Sequence, residues 1–394
     1  MFVGHALLAF ALAVLAADWR GWPRRRALQF GLLAGAFAAL PDVDVVYAVA
    51  TVDVGRLLGI GPATGVDPSA FWAATEAVHR SMTHSLVVAA VAAPAFGLWA
   101  LRGTAGRERL ARALAVGLLA GLVGVAAAAS GALGGIVIGV FVVVGLAVAT
   151  AGRRWNDLPA GYVGLAAGVG LLSHPWGDLV TGEPPGLLYP FEAGLLDGRI
   201  VLHADPTVHL LSAFALELAV VWLALLAVVR VSEPSVATLS DPTAVVGATY
   251  GIGALVLVPP TIDAAYPFVG SILAVGVACG CLAWYRSDST TLERGRSMLA
   301  GRRSRSSETH TADSTTPVST ASIPNQPADS STPTASSTST AIRSDDSATT
   351  DSGTSTSTPS ADIVHAGLGI VGPAVGGITV ALVGYALVYV AILG

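Results

Sequence analysis

The sequence contains no lysine and little charge of either sign. Of its 394 residues, 12% are charged and 7% are aromatic, and two are cysteines. A soluble domain carries about twice that share of charged residues, so the composition excludes an ordinary soluble protein. Cys279 and Cys281 lie in an apolar stretch with no histidine nearby, and we interpret them as small apolar residues rather than a metal or redox site.

Long runs of Ala, Val, Leu and Gly fill most of the chain, and 53% of the residues are hydrophobic. Crossing a bilayer takes about 20 apolar residues, whose backbone groups must be satisfied within the helix. We therefore expect an all-α polytopic integral membrane protein with about ten transmembrane helices. The predicted spans are residues 3–17, 27–49, 85–101, 112–130, 132–151, 159–180, 207–229, 244–260, 266–285 and 363–393.

The first predicted span, residues 3–17, is short enough to be compared with a signal peptide. The small residues of "AVLAAD" fit a cleavage site, but no Lys or Arg precedes the apolar run. We favour a retained helix, since it also carries His5.

The arginines are concentrated in every second loop, as in "DWRGWPRRR", "RGTAGRERLAR" and "GRRW". The intervening loops contain only Arg56, Arg80 and Arg199 and are richer in Asp, Glu and Pro. Cytoplasmic loops of membrane proteins carry the excess of positive charge. This asymmetry predicts a multi-pass cell-membrane protein with its N-terminus outside and its arginine loops in the cytoplasm.

Residues 286–362 are dominated by Ser, Thr, Pro and Asp and contain few large apolar side chains. Such a composition cannot bury enough surface to offset the entropy of ordering, so a disordered cytoplasmic linker is predicted. A glycosylated stalk is the alternative and requires the opposite topology. The predicted organisation is a membrane domain at 1–230, further transmembrane helices at 231–285, the linker at 286–362 and a final helix at 363–394.

Ionisable residues inside or at the edge of membrane spans are costly and mark candidate functional sites. Under the predicted topology, histidines and aspartates from four segments reach the same outer level. Imidazole nitrogens and carboxylate oxygens are ligands of zinc and related divalent ions. The candidate metal ligands are His5, Asp42, Asp44, His79, His84, His174 and Asp178. Seven candidates suit two or three ions that share carboxylates better than one tetrahedral ion.

The spacing within each segment bears on this hypothesis. His174 and Asp178 are four residues apart and share one helical face. Pro41 predicts an extended or broken segment, in which Asp42 and Asp44 can point the same way. In "HRSMTHS" the two histidines are five apart, which indicates a loop-to-helix junction with Thr83 or Ser81 as the N-cap.

These motifs occur in a fixed order: an N-terminal His, "PDVD", "HRSMTHS" and "SHPWGD" followed by "TGEPPGLLYPF". The order resembles the YdjM-type inner-membrane metal-dependent hydrolases, also described as LexA-binding, over roughly residues 1–230. It is more distantly similar to zinc-dependent phospholipases and nucleases. The resemblance implies the ligand set above and places Arg80 at the arginine of the family's histidine motif.

The function predicted from these residues is metal-assisted hydrolysis of a phosphate ester or lipid-linked substrate. Asp42 or Asp44 would bridge metals or accept a proton, and Arg80 would neutralise an anionic substrate or extend to the lipid headgroups. Nucleic acid is not an expected partner. The alternatives are an ion- or proton-coupled transporter that uses the same His/Asp cluster, and a membrane scaffold.

His203, Asp205 and His209, in "LHADPTVHLL", form a second polar segment just before a predicted span. We interpret them as residues that surround the cluster or gate access to it.

Overall fold

The fold is all-α, as predicted, and contains no strand within the residues that the structure describes. The structure is a computed structural model. It describes residues 2–45, 82–155, 158–180, 184–191, 195–196, 198–232, 235–309 and 359–392.

Most of the described α-helices coincide with apolar segments predicted from the sequence. They are α1 Phe2–Trp19, α2 Arg24–Ala38, α3 Leu86–Ala100, α4 Ala105–Arg154, α5 Gly161–Asp178, α6 Pro206–Ser232, α7 Gly253–Val256, α8 Tyr266–Thr309 and α9 Pro359–Ile392. Short 3-10 helices are Pro41–Val45, Val236–Leu239, Pro242–Ile252 and Ile262–Ala264.

Five of the described helical segments are long and apolar enough to cross a membrane: Arg24–Val45, Ala105–Arg154, Pro206–Ser232, Tyr266–Asp288 and Ala366–Ile392. Val3–Trp19 and Leu86–Ala100 are apolar but shorter. The protein is a multi-pass membrane protein, and the predicted number of ten transmembrane helices is not confirmed.

Helix α4 is a hairpin of two helical arms. Its backbone leaves the helical region at Ser130 and Gly131, and Gly131 has a φ of 70°. A positive φ is accessible to glycine because it lacks a Cβ. Glu108 in the first arm pairs with Arg153 in the second at 3.0 Å, so the arms are antiparallel. The break falls between the predicted spans 112–130 and 132–151.

Residues 244–260 differ from the predicted transmembrane span. Most of the segment belongs to the 3-10 helix Pro242–Ile252, followed by the four-residue helix α7. Its apolar length is interrupted by Gly247, Gly251 and Gly253, and it ends at two prolines. Glycine and proline are the weakest helix formers, which explains why hydropathy alone overestimated this helix.

Small residues bring α1, α2, α3 and α5 into close contact. A Cβ added at Gly97 in α3 would lie 2.9 Å from the Cα of Gly164 in α5, so no larger residue fits there. A Cβ added at Gly35 in α2 would lie 2.9 Å from the Ala6 carbonyl oxygen in α1. Such small-residue contacts are typical of membrane helices, whose backbones can then approach closely. The resulting bundle fixes where the helix ends lie.

The two ends of this bundle differ in chemistry. At one end, Arg153 pairs with Glu108, and Arg26 stacks over Trp22. At the same end, Nε of Arg230 in α6 lies 2.7 Å from Asp18 Oδ2. At the other end lie the start of α1, the end of α2, the start of α3 and the end of α5, which carry the histidines and aspartates. The arginine loops and the candidate site are therefore on opposite ends, as the predicted topology requires.

A second apolar cluster joins α6, the start of α8 and α9. It includes Phe268, Ile272 and Tyr385, which are fully or nearly fully buried. Trp222 in α6 donates a hydrogen bond from Nε1 to the Thr379 hydroxyl in α9 at 2.9 Å. Helix α9 is thus packed with α6 although a long stretch of sequence separates them.

The described residues 285–309 and 359–362 are assigned to a second unit, separate from the rest of the chain. Its described part is helical up to Thr309 and again from Pro359. The helix extends past residue 285, where the disordered linker was predicted to begin, because "TLERGRSMLAGRR" is rich in the good helix formers Leu, Glu, Arg, Met and Ala. The rest of the predicted linker, residues 310–358, lies outside the described residues.

Replacing residues 310–358 by a short Gly/Ser linker is expected to leave membrane expression and metal content unchanged. The composition of this segment cannot support a hydrophobic core. The comparison is with the full chain, by quantitative blotting of membranes and by metal analysis of purified protein. Loss of both properties would show that the segment has a structural role.

Candidate metal centre

Six of the seven predicted ligands lie in the described residues and come together at one end of the bundle. Four chain segments supply them: the first turns of α1, the 3-10 helix after α2, the residues just before α3, and the end of α5. These residues are His5, Asp42, Asp44, His84, His174 and Asp178. All are buried except Asp42, which is partly buried.

The centre of the cluster is formed by two histidine nitrogens and two carboxylates. Nε2 of His84 lies 3.7 Å from Asp42 Oδ1 and 3.3 Å from Asp178 Oδ2. Nε2 of His174 lies 3.5 Å from Asp42 Oδ1 and 3.8 Å from Asp178 Oδ2. Ligands bound tetrahedrally at 2.0–2.2 Å from one ion are separated by about 3.4 Å. The observed separations match that spacing closely.

His174 is held in a single orientation by the backbone of α2. Its ring is fully buried, and its Nδ1 lies 2.6 Å from the carbonyl oxygen of Ala38. Because a carbonyl only accepts, Nδ1 donates this bond and the neutral ring presents the lone pair of Nε2 to the cluster. Histidines that bind metals are oriented in this way by their second nitrogen.

His84 is oriented by a chain of two hydrogen bonds. Its Nδ1 lies 3.0 Å from the Thr83 hydroxyl, which in turn donates to Asp44 Oδ2 at 3.0 Å. Asp44 Oδ2 is also 3.6 Å from His84 Nδ1. Asp44 therefore lies on the Nδ1 side of the ring, whereas Asp42 lies on the Nε2 side. This placement suits Asp44 to orienting His84 and Asp42 to direct ligation.

Two buried atoms in the cluster make no hydrogen bond with any other described residue: Nε2 of His174 and Oδ2 of Asp42. Leaving such groups buried and unpaired costs free energy, and a bound cation would remove that cost. Two groups of potential ligands have all their ligating atoms within 4.8 Å of one another: Asp42, His84 and His174, and His5, His174 and Asp178. The residues present therefore fit a metal ion.

The electrostatics of the cluster also favour a positive charge. Burial lowers the pKa of His84, but hydrogen bonds with Asp178 and Asp42 and the charges of Asp44 and Asp178 outweigh it and raise the pKa to about 9. His84 lies ahead of α3, outside the apolar helix. The carboxylates thus attract either a proton or a metal cation to this point.

His5 completes the cluster from the first turns of α1. Its Nε2 lies 3.2 Å from Asp178 Oδ1, whereas the other carboxylate oxygen, Oδ2, lies 3.3 Å from His84 Nε2. The centroids of the His5 and His174 rings are 4.3 Å apart. At these distances His5 either orients Asp178 through a hydrogen bond or binds an ion together with it.

Gly177 provides the space that the His5 ring occupies. A Cβ at Gly177 would overlap ring atoms of His5, whereas a Cβ at Gly168 in the same helix would make an ordinary contact with the Ala93 methyl at 4.0 Å. We expect Gly177→Ala to weaken metal affinity about tenfold, as loss of an orienting contact does, and Gly168→Ala to leave it unchanged. Metal titration of the two purified variants checks this, and equal affinities would contradict the placement of His5.

The segment after α5 covers the start of α3 beside His84. The Leu86 backbone N–H donates to the Leu187 carbonyl at 2.9 Å, and the Ser85 hydroxyl donates to the Tyr189 carbonyl at 2.7 Å. The Tyr189 hydroxyl lies 3.0 Å from that of Ser130, at the turn of the α4 hairpin. These contacts place "GLLYPF" next to the cluster, where it can limit access of water.

Several local predictions can be compared with the structure. His174 and Asp178 do share one helical face. Asp42 and Asp44 both lie near His84, but their segment is a 3-10 helix and not extended. The N-cap of α3 is Ser85, whose hydroxyl accepts from Val87 and Val88, and not Thr83. The sequence does indicate this N-cap, because Ser85 stands directly before the apolar run.

Two predicted site residues, His79 and Arg80, lie outside the described residues, as does Ser81. Their predicted roles as metal ligand and anion-binding group stay predictions. The residues that the sequence reasoning missed are the Ala38 carbonyl, Gly177 and the bridging role of Thr83. A backbone carbonyl leaves no trace in a sequence, and the value of Gly177 depends on a neighbour far away in the chain.

Comparison with known proteins bears on the first part of the chain. Residues 1–132 match the YdjM inner membrane protein family. The resemblance predicted from the sequence is confirmed over this range, which includes His5, Asp42, Asp44 and His84. No curated protein and no solved structure matches the chain.

The YdjM match ends before α5, although the predicted resemblance extended to about residue 230. His174 and Asp178 therefore lie outside the matched range, yet they contact its histidines and aspartates directly. The first four helices alone do not complete the cluster. The YdjM-like region and α5 together form the candidate metal centre of this multi-pass membrane protein.

Proposed function

We propose that this protein is a membrane-bound metal-dependent hydrolase whose active centre is the His/Asp cluster. The observation that carries the proposal is the fully buried His174, fixed through Nδ1 by Ala38, with Nε2 directed at two carboxylates and making no hydrogen bond among the described residues. Zinc or a related divalent ion suits this set of nitrogen and oxygen donors.

Asp42, His84 and His174 would hold one such ion. Three protein ligands with a remaining open position are typical of catalytic zinc sites, whereas structural sites have four. Since His174 presents only one lone pair to the cluster, it can bind only one ion. A second ion would then depend on His5 and Asp178.

A bound divalent ion supplies a nucleophile at neutral pH because it lowers the pKa of a coordinated water. The chain's own residues provide the rest of the chemistry. Asp44 and Thr83 hold the His84 ring in place, and His5 holds Asp178. Asp42, whose second oxygen makes no hydrogen bond within the described residues, would accept the proton released by the attacking water.

A phosphate ester, either lipid-linked or of a lipid headgroup, is the substrate class that the location of the cluster supports best. The cluster lies at helix ends and not in the middle of the bundle, so it is close to the level of the headgroups. Arg80, from the same sequence motif as His84, would bind the phosphate through its guanidinium. This location also favours a hydrolase over a transporter, whose ion sites lie near the membrane midplane.

The proposal is tested by hydrolysis assays on purified protein in detergent micelles. Metal-loaded protein is expected to release phosphate or headgroup from short-chain phospholipids, and chelation followed by zinc readdition should abolish and restore the activity. A variant outside the cluster, Ser173→Ala, should behave as the wild type. Absence of any metal-dependent hydrolysis across phosphomonoester and phosphodiester lipids would contradict the proposal.

The metal centre is expected to face the outside of the cell. In a chain with Cys279 and Cys281 replaced by alanine, Ser69→Cys should react with a membrane-impermeant maleimide in intact cells, and Thr104→Cys only after lysis. Arginine-rich loops remain cytoplasmic, and Thr104 belongs to such a loop. The reverse labelling pattern would move the centre to the cytoplasmic leaflet without altering its ligands.

A further inference from the structure

A pocket lined by both polar and apolar residues lies at the start of α6, apart from the His/Asp cluster. It has a volume of about 100 Å³, and its polar lining residues are Arg199, His203, His209 and Thr261. Arg199 and His203 belong to the segment that precedes α6, and His209 is in the first turn of the helix. The metal centre uses none of these polar residues.

His209 offers a buried hydrogen-bond donor to this pocket. The side chain is 4% exposed, and its Nδ1 accepts a hydrogen bond from the Leu202 backbone N–H at 3.2 Å. A neutral imidazole whose Nδ1 accepts carries its proton on Nε2. That Nε2 is buried and makes no hydrogen bond with any described residue. A donor in this position lacks the partner that its burial requires.

His203 is fixed in the same tautomer. Its Nδ1 accepts from the Asp205 backbone N–H at 3.0 Å, so its Nε2 also carries the proton. The guanidinium of Arg199 has only donors, and the Thr261 hydroxyl can donate as well. The polar groups of the pocket are thus donors, which exclude a metal cation as the ligand and select an acceptor.

The nearby acid, Asp205, is engaged by other groups. Its carboxylate accepts from the Val208 backbone N–H at 2.8 Å and from the Tyr389 hydroxyl at 3.2 Å. The Val208 hydrogen bond, assisted by Tyr389, holds the pKa of Asp205 below its usual value. Asp205 therefore caps α6 and anchors α9, and leaves the donors of the pocket to a ligand.

We infer that the pocket of Arg199, His203, His209 and Thr261 binds an oxyanion, a phosphate group, at a site distinct from the metal centre. Hydrogen-bond donors around a small cavity, with the charged guanidinium of Arg199 among them, suit phosphate, which Arg can bind bidentately. The Ile200 backbone N–H donates to the Leu179 carbonyl at 2.6 Å, which joins the segment of Arg199 to the residue after α5. The phosphate comes from a lipid headgroup or from free phosphate.

The test measures binding and not hydrolysis, so it does not depend on the proposed function. Full-length protein in non-ionic detergent is titrated calorimetrically with inorganic phosphate and with short-chain phosphatidic acid, and short-chain diacylglycerol is the uncharged comparison. Arg199→Gln and His209→Asn should each weaken binding at least about tenfold, the effect of losing a charged or buried hydrogen bond. Asn retains an acceptor for Leu202 but lacks the Nε2 donor.

Controls separate the pocket from the metal centre. Arg154→Gln, an exposed arginine at the other end of the bundle, should bind like the wild type, and all three variants should retain metal. His174→Ala should still bind the anion. Binding of the lipid alone would assign the phosphate to a headgroup, and binding of both ligands to a phosphate group in general. Absence of binding by the wild type, or equal binding by wild type, Arg199→Gln and His209→Asn, would overturn the inference.

Discussion

His174→Ala should lower metal affinity by at least about 100-fold, since loss of an orienting contact alone costs 10–100-fold and here a ligand is lost. His174 is common to both groups of potential ligands and contributes the nitrogen that is buried and without a hydrogen bond in the described chain. Mass spectrometry of metal content in protein purified at neutral pH measures the effect. We expect stoichiometric metal in the wild type and less than about a tenth of that in the variant.

The matched control for this experiment is Ser173→Ala in the same turn of α5. The Ser173 hydroxyl donates only to the Gly170 carbonyl within its own helix, at 3.1 Å. Its loss should change neither folding nor metal content. Retention of stoichiometric metal by His174→Ala, with both variants folded by circular dichroism and gel filtration, would remove His174 from the site.

Asp42→Asn should lower the rate of hydrolysis more than Asp44→Asn does. Asp42 faces the Nε2 atoms of both central histidines, whereas Asp44 contacts the Nδ1 side of His84 and the Thr83 hydroxyl. Loss of a general base lowers kcat by about 100- to 10,000-fold. Loss of an orienting carboxylate lowers metal affinity or activity about 10- to 100-fold.

The two roles are distinguished by adding metal. Excess zinc should restore activity to Asp44→Asn, because its ligands are intact and only their orientation is weakened, and should not restore it to Asp42→Asn. Initial rates at increasing zinc concentration give both the apparent metal affinity and the kcat of each variant. Equal rescue of the two variants would show that both aspartates act in the same way.

The sequence was sufficient to predict the residues that converge, because each is a costly polar group in an apolar context. Arginine asymmetry alone predicts that His5, Asp42, His84 and His174 lie at one level of the membrane. The break near Ser130 was also predictable, since a glycine follows and the apolar run is too long for one span. Each of these features could be predicted because it depends on the residues of one segment and not on contacts between segments.

Other features depend on contacts between distant segments and could not be read from local sequence. That Asp44 contacts Nδ1 of His84 and Asp42 contacts Nε2 depends on how the 3-10 helix lies against α3. The Ala38 carbonyl that orients His174 belongs to another helix. Hydropathy also overestimated residues 244–260, because it counts apolar residues and disregards the backbone preferences of Gly247 and its neighbours.

The most direct test of the metal centre is X-ray absorption spectroscopy of the zinc-loaded protein. We predict a first shell of nitrogen and oxygen at about 2.0–2.2 Å with outer-shell scattering from two or more imidazole rings, and one imidazole fewer in His174→Ala reconstituted with excess zinc. A shell containing sulfur at about 2.3 Å would assign the ion to Cys279 and Cys281. That result, or a shell without imidazole, would contradict the His/Asp cluster as the metal centre.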